Sequence, residues 1–298
     1  MSRCVGRPLL TVLARSRTAR AVCIACIASL VACTHPAPLP PKALELNRSG
    51  AAALAAGDLV TAEARLAVAL EYNPRFTEAW VNLGLVELRR GNFEVAKKYL
   101  VRARELNPDL PAPHHALGLL ADKQGRRDEA EEHYRDALAV DPGFAAARVN
   151  LGRRLFERGA YDDAREQFLR LAEVAPEMLE AWTGLVESLL RLRRDAEADE
   201  TLERARDAFG DRPPLVLLDA RQMIRRGAHA QAEGRLVPVT RDEERARAAE
   251  AWAWIAVARL GQENAHGAAL AADEALRLDD AQPVARYALS VARTMRAR

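Results

Sequence analysis

Beyond residue 33 the chain contains no cysteine: Cys4, Cys23, Cys26 and Cys33 all fall within its first 33 positions. A chain cleaved before Cys33 has no second thiol, so neither an internal disulfide nor a thiolate metal cluster can form, and nothing would mispair in an oxidising compartment. Aromatic residues are scarce, at 5%, which leaves no stacking platform for single-stranded nucleic acid. A basic face is missing too. The 44 Lys and Arg exceed the 42 Asp and Glu by two, but Arg3, Arg7, Arg15, Arg17 and Arg20 all precede residue 33. Without those five, 39 basic residues stand against 42 acidic ones, a net charge of −3. Nucleic-acid binding needs concentrated positive charge, and the densest stretch, Arg191-Leu192-Arg193-Arg194, reads as a solvated helix end and turn. There is no Gly-x-Ser-x-Gly elbow, no His-Glu-x-x-His pair and no phosphate loop. The many carboxylates sit beside Arg and Lys at helical spacing, as solvated faces do. The expectation is a protein that is not an enzyme, with no cofactor, no metal and no small-molecule substrate.

What the chain does have is a period. Gly57, Gly91, Gly125 and Gly159 are each 34 residues apart, and Gly227 falls two steps later. Ala62, Ala96, Ala130, Ala164, Ala198 and Ala232 keep the same step, as do Pro74, Pro108, Pro142 and Pro176. A fixed period of this length means a stack of similar supersecondary units. Each unit reads as two amphipathic helices, clearest where Trp80, Leu83 and Leu88 recur at helical spacing, followed by Ala96, Leu100 and Ala103. Gly91 permits a left-handed turn between the two helices. Asn107-Pro108 ends the second, because proline has no amide hydrogen and restricts the residue before it. Small residues at Gly84 and Ala96 let the helices approach.

This pattern resembles the tetratricopeptide repeat, with its Trp-x-x-Leu-Gly opening, central Ala and late Pro. Trp80, Leu83, Gly84, Ala96, Leu100, Ala103 and Pro108 match it, and Leu117, Gly118, Gly125, Ala130, Tyr134, Ala137 and Pro142 repeat the match. A third copy carries Leu151, Gly152, Gly159, Ala164, Phe168 and Pro176. The register extends upstream to about Ala43 and downstream with Arg193 in the glycine's place. It continues through a weaker copy near Pro213 to a last one that aligns only after a two-residue slip, with Trp252, Ile255, Ala268 and Ala275. The resemblance implies an all-α fold, a right-handed superhelix (α-solenoid) of about seven helix-turn-helix repeats over residues 43–280. Residues 281–298 supply a C-terminal capping helix, formed by 283–296. Segment 206–248 reads as a degenerate repeat plus loop. Trp80, Trp182 and Trp252 are expected as core wedges.

By the same resemblance, the first helices line a concave groove that takes a protein or extended peptide. Val81, Asn82, Leu85, His115, Leu119, Val149, Asn150 and Arg153 are then its lining. Asn82 and Asn150 each stand in Val-Asn-Leu-Gly, two repeats apart. An amide can donate and accept at once, so it can pair with a peptide main chain of any sequence. Ala116 and Gly184 interrupt that ladder, and the alternative for both asparagines is a polar residue facing water. The family's carboxylate clamp is not matched. His114, His115 and His133 cluster in one repeat, but adjacent helical residues point about 100° apart. A shared metal is therefore not expected, and His114, in the place of Trp80 and Trp182, is expected to pack between helices.

Residues 1–32 stand outside the period. Five arginines and no acidic residue precede an apolar run, Ala21 to Ala32, too short to span a bilayer comfortably. The run ends in Leu30-Val31-Ala32-Cys33, which resembles the bacterial lipobox. That resemblance implies cleavage before Cys33 and lipid on its sulfur and new amino terminus. An ordinary signal peptide cut near Ala32 and an uncleaved anchor are the alternatives. Residues 33–42 then form a Pro-rich tether, and Thr34 at the position after the cysteine implies the outer membrane by enterobacterial sorting. The whole architecture resembles lipid-anchored periplasmic repeat lipoproteins that assist outer-membrane assembly, among them the pilotins of type IV pilus secretins. Two other functions stay open: an adaptor for an envelope protease or peptidoglycan hydrolase, and a non-catalytic subunit of, or cryptic, envelope enzyme.

Overall fold

The computed structural model of the protein describes residues 39–297. The signal reading of residues 1–32, Cys33 and the tether up to residue 38 lie outside the described residues. Among the described residues the regular structure is entirely helical. In chain order the helices are α1 (Pro41–Ala55), α2 (Leu59–Tyr72), α3 (Thr77–Arg90), α4 (Phe93–Leu106), α5 (Pro111–Lys123), α6 (Arg127–Val140), α7 (Ala145–Arg158) and α8 (Tyr161–Val174). They continue as α9 (Leu179–Arg191), α10 (Asp195–Phe209), α11 (Pro213–Arg225) and α12 (His229–Leu236). A 3-10 turn (Val237–Arg241) follows, then α13 (Arg245–Gly261), α14 (Ala265–Leu278) and α15 (Pro283–Arg296). Two compact units divide between Val86 and Glu87, inside α3.

In the first unit α1 and α2 form an antiparallel hairpin. A Cβ on Gly50 would stand 2.7 Å from Leu66 Cγ, so only hydrogen fits there. Ala62, Leu66 and Ala69 are fully buried by that approach. The Asp58 carboxylate starts α2 by accepting from Thr61 N at 3.0 Å.

In the second unit successive helices pack in chain order from α4 to α15. The alanines on the 34-residue step, Ala96, Ala130, Ala164, Ala198 and Ala232, are all at 0% exposure, as is Ala268. That is why the position is alanine: one helix backbone lies against it. The turn inside each repeat requires a positive φ. Arg193 and Glu263 hold it without glycine, at 61° and 59°. Glu263 follows Gly227 by 36 residues, and the source of that slip is visible. Helix α12 stops after 8 residues, where α8 and α14 each run 14. Pro238 follows at once inside the 3-10 turn, unable to donate and crowding the carbonyl behind it. The degenerate segment is thus a real but truncated repeat. The closing helix α15 occupies the expected residues and buries Ala285, Ala288 and Ala292.

Joints between repeats are built by a rule that the motif does not spell out. Asn73, Asn107, Asp141 and Asp279 each turn a side-chain oxygen to the backbone N–H two residues on, at 2.8–3.2 Å. The carbonyl after that cap, or its counterpart, then receives a side-chain donor from six residues further. Trp80 Nε1 donates to Pro74 O and Trp182 Nε1 to Pro176 O, each at 2.9 Å. His114 Nε2 meets Pro108 O at 3.3 Å, Arg148 Nη2 donates to Pro142 O, and Arg286 Nη2 to Asp280 O at 2.7 Å. Trp, His and Arg share the place because each offers an N–H on a long arm. Trp182 is buried, whereas Trp80 and Trp252 are only half-buried. Trp80 is therefore a joint clasp more than a core wedge.

Candidate protein-binding face

The first helices of consecutive repeats pack side by side in the second unit: α7 on α9, α9 on α11 and α11 on α13. Of the residues expected to line a groove, α7 carries Val149, Asn150 and Arg153, and α5 carries His115 and Leu119. On α5 the His115 ring lies 5.8 Å from that of Tyr134 and 5.5 Å, edge-on, from that of Phe144. Burial among these rings pushes its pKa down to about 4, because the imidazolium would lose its water. His115 is therefore neutral near pH 7, and its Nε2 meets Asn150 Nδ2 at 2.9 Å. A parallel bond occurs in the first unit, where Asn82 Nδ2 donates to Asn47 Oδ1 at 2.9 Å. Each asparagine thus ties its helix to the repeat before it. One Nδ2 contact of each amide is made within the protein. The 35-residue spacing of Asn47 to Asn82 and of His115 to Asn150 was the signal that could have found these pairs.

Val81, at 6% exposure, packs inside the first unit and lines no open surface. Leu85 is half-buried there. In the second unit Leu119 and Val149 are half-buried against the core, while Arg153 is exposed. Arg153 joins an open depression between α7 and α9, together with Val149 and Phe156 from α7 and Glu180, Thr183 and Glu187 from α9. The Phe168 ring forms its floor, wedged where Cβ atoms on Gly152 and Gly184 would come within 2.9 and 2.5 Å of it. The depression measures ≈ 150 Å³, below the roughly 300–1,000 Å³ of small-molecule sites. It has room for about one side chain.

The rim is polarised. Arg191 stacks over Phe156 at 5.7 Å and Tyr161 at 6.0 Å. On the other side Glu187 pairs with Arg221 at 3.3 Å, and Arg221 lies 5.3 Å above the Trp254 ring. Phe168, Thr183, Glu187 and Arg221 escaped the sequence-based lining because they are not at the motif's groove positions, or sit at them with unremarkable residue types.

The three histidines separate. His115 turns into the aromatic cluster, whereas His114 Nδ1 and His133 Nδ1 face one Asp136 oxygen at 3.8 and 3.6 Å. These are ion-pair distances, too long for hydrogen bonds. No group of three or more metal-capable side chains occurs among the described residues. Nor, among them, is any helix long and apolar enough to cross a membrane.

The tetratricopeptide repeat family matches residues 76–143, and in a second description residues 115–175 and 150–213. No curated protein matches the chain in sequence. Among solved structures, a tetratricopeptide repeat protein from Parabacteroides merdae is similar with a TM-score of 0.61 at 20% identity, over 85% of this chain and 100% of its own. The pilF protein of Pseudomonas aeruginosa gives 0.58 at 24%, over 71% and 95%. A chain of the APC/C hetero-tetramer Cut9–Hcn1 gives 0.62 at 15%, over 80% and 47%. Identities of this size carry the fold and not the partner. Residues 76–213 match the tetratricopeptide repeat, and the chain has the all-α solenoid fold of the similar tetratricopeptide repeat structures.

Proposed function

We propose that the protein is a lipid-anchored periplasmic adaptor on the outer membrane, tethered through Cys33, which holds a protein partner against the α5, α7 and α9 face. Its service is to the assembly of an outer-membrane complex of the type IV pilus secretin kind. The binding is non-covalent, and no step of chemistry is required of the chain. The observation that carries the reading is the depression over Phe168. An apolar floor sized for one side chain, rimmed by Arg153, Thr183 and Glu187, suits an anchor residue of an extended segment. Support for the address comes from the Leu30-Val31-Ala32-Cys33 run and the basic segment before it.

The test is capture from native envelopes with wild type and with Arg153→Glu/Thr183→Arg. Arg153 is exposed, and Thr183 is only half-buried on the rim, so the pair fills and recharges the depression without entering the core. Asn82 and Asn150 are poorer targets, because their loss would also loosen the joints they hold. Recovery of a secretin subunit by wild type and its loss with the double variant is the expected result. Recovery of a hydrolase or protease instead would keep the adaptor and remove the secretin assignment. A partner held equally by the variant would take binding away from this face.

A further inference from the structure

The first repeat departs from its neighbours on the outer side of its second helix. Residues Val60, Ala64 and Val68 of α2 occupy places filled 34 residues later by Glu94, Lys98 and Arg102, then by Asp128, Glu132 and Asp136, then by Asp162, Glu166 and Arg170. Three successive repeats present charge to water there, and the first presents none. The side chains are open: Val60 is 74% exposed, Val68 37% and Tyr72 52%. Spaced four apart, the positions from 60 to 72 form one slowly winding stripe, about 18 Å long.

One end of the stripe lies level with the start of α1. Gly50 of α1 packs on Leu66 of α2. In an antiparallel hairpin, six residues back from Gly50 and six forward from Leu66 are level, which sets Tyr72 at the same end of the hairpin as Leu44, on the opposite side of it. Leu44 is also exposed, at 42%. Pro41, the first residue of α1, lies less than one turn beyond it. The Tyr72 end of the stripe therefore lies at the end of the first unit from which the chain leads back to Cys33.

We propose that this stripe, Val60, Ala64, Val68 and Tyr72, docks on the lipid surface to which Cys33 is anchored. The inference rests on the lipid-anchor reading above. Pro41 is eight steps along the chain from Cys33, and even fully extended these reach at most about 29 Å, so an anchored chain keeps the first repeat beside the bilayer. One acyl chain alone gives marginal, reversible membrane binding, and a second signal makes it lasting. Tyrosine is at home at the headgroup level, with its ring in the apolar boundary and its hydroxyl in water. Glu63, Arg65 and Glu71, all exposed on α2, flank the stripe and stay in the wet headgroup layer. A second copy of the chain is a poorer occupant. A strip about 18 Å long and about 10 Å wide falls far below the roughly 800 Å² that each partner contributes to a stable interface.

The test places the photo-reactive residue p-benzoylphenylalanine at Val68, and as control at Arg102, in the full chain. Each is purified from bacterial envelopes and reconstituted with vesicles of phosphatidylethanolamine and phosphatidylglycerol. Irradiation is expected to yield lipid adducts at 68 and none above the vesicle-free background at 102. Val60→Glu/Tyr72→Glu should abolish the adducts while the far-ultraviolet helix signal stays unchanged, since both side chains are already exposed. Covalent dimers at 68, or equal lipid labelling at 68 and 102, would overturn the proposal. Anchoring is read apart, by flotation with vesicles and by the mass of the peptide bearing Cys33. If anchoring fails, the same pair is irradiated on a chain starting at Cys33 and coupled there to a maleimide lipid. The stripe is then judged by the same two outcomes whatever becomes of the anchor.

Discussion

Two stretches of the second unit fill the same helix-hairpin template in opposite ways. Between about residues 121 and 218 the core is keyed by large side chains, Tyr134, Phe168 and Trp182, with leucines around them. The rings lie on glycines: Tyr134 against Gly118, and Phe168 between Gly152 and Gly184. From about 216 to 288 the buried positions are mostly alanine, including Ala232, Ala251, Ala256, Ala272 and Ala275, with few large residues among them. A ring seated on a glycine fixes the level of one helix against the next, because no other level offers the gap. Small residues facing small residues allow close approach without selecting a level. The period is strict in the first stretch, and the two-residue slip enters in the second. Large-on-small packing holds register, and alanine packing tolerates its drift.

The strongest way to break this contrast is to remove the key. Phe168→Ala empties a site bounded by two glycines that have no side chains to collapse into it. The loss expected is about 3–5 kcal/mol, the upper range for a large-to-small core change. It is read as a drop in the urea midpoint of the helix signal. A loss near 1 kcal/mol would mean that Phe168 is filler and that register is kept elsewhere.

His115 tests the same keyed stretch through pH. Its pKa falls from 6.5 to about 4 on folding because the ring is buried beside Tyr134 and Phe144. Below pH 6.5 the unfolded chain takes up a proton that the folded one refuses, so acid favours unfolding. Stability should therefore decline as pH falls from about 6.5 to about 4 and level off below that. The decline is about 3 kcal/mol if burial acts alone. His115→Phe keeps an aromatic ring and removes the titration. Its melting temperature is expected to be flatter across that window than that of wild type, whatever its absolute value. Parallel curves for the two proteins would show that His115 is protonated without penalty.

The alanine stretch should fail in the opposite sense. Ala272 is fully buried, and Ala272→Leu forces a branched side chain between closely approached helices. Overpacking of this kind costs about 1–3 kcal/mol. If Ala272→Leu left the urea midpoint in place, the second core would be loosely filled, and the slip would reflect poor packing instead of permissive packing.

The fold was open to inspection in the sequence because its rules are local. Glycine at a positive-φ turn, alanine under a crossing helix and proline at a joint each announce themselves at a fixed step, and the structure keeps all three in place. The two-residue slip was visible through Trp252 and Ala268, although its cause, the early end of α12 before Pro238, was not. The candidate face was less open. Asn82 and Asn150 were found by position, but their partners Asn47 and His115 lie a repeat away, and an amide that binds its own neighbour is spelled like one that binds a ligand. Phe168 is legible in the sequence only as a match to the repeat motif, and its role as floor of a depression appears only when α7 and α9 are set side by side. The joint clasp hid for a different reason: Trp80, His114 and Arg148 share no residue type, only an N–H at one distance.

The smallest effect concerns the two repeats that turn without glycine. Arg193 and Glu263 hold φ at 61° and 59°, where an L side chain crowds the following carbonyl at roughly 1–2 kcal/mol. Replacing Arg193 by glycine relieves that strain but returns backbone freedom to the unfolded chain, worth roughly 0.5–1 kcal/mol the other way. The net expectation for Arg193→Gly is a gain of about 0.5 kcal/mol, a rise in melting temperature of a degree or two, with Glu263→Gly alike in sign. The reverse change at a keyed repeat, Gly159→Arg, should lower stability by about 1 kcal/mol, since φ there is 88° and the arginine would acquire the strain that Arg193 already bears. Opposite signs at 263 and 159 would show that the turn obeys one backbone rule in every repeat, so that keyed and alanine stretches differ only in their cores. A loss at both positions would mean that Glu263 holds its place through its side chain, and that the turns, too, have diverged along the chain.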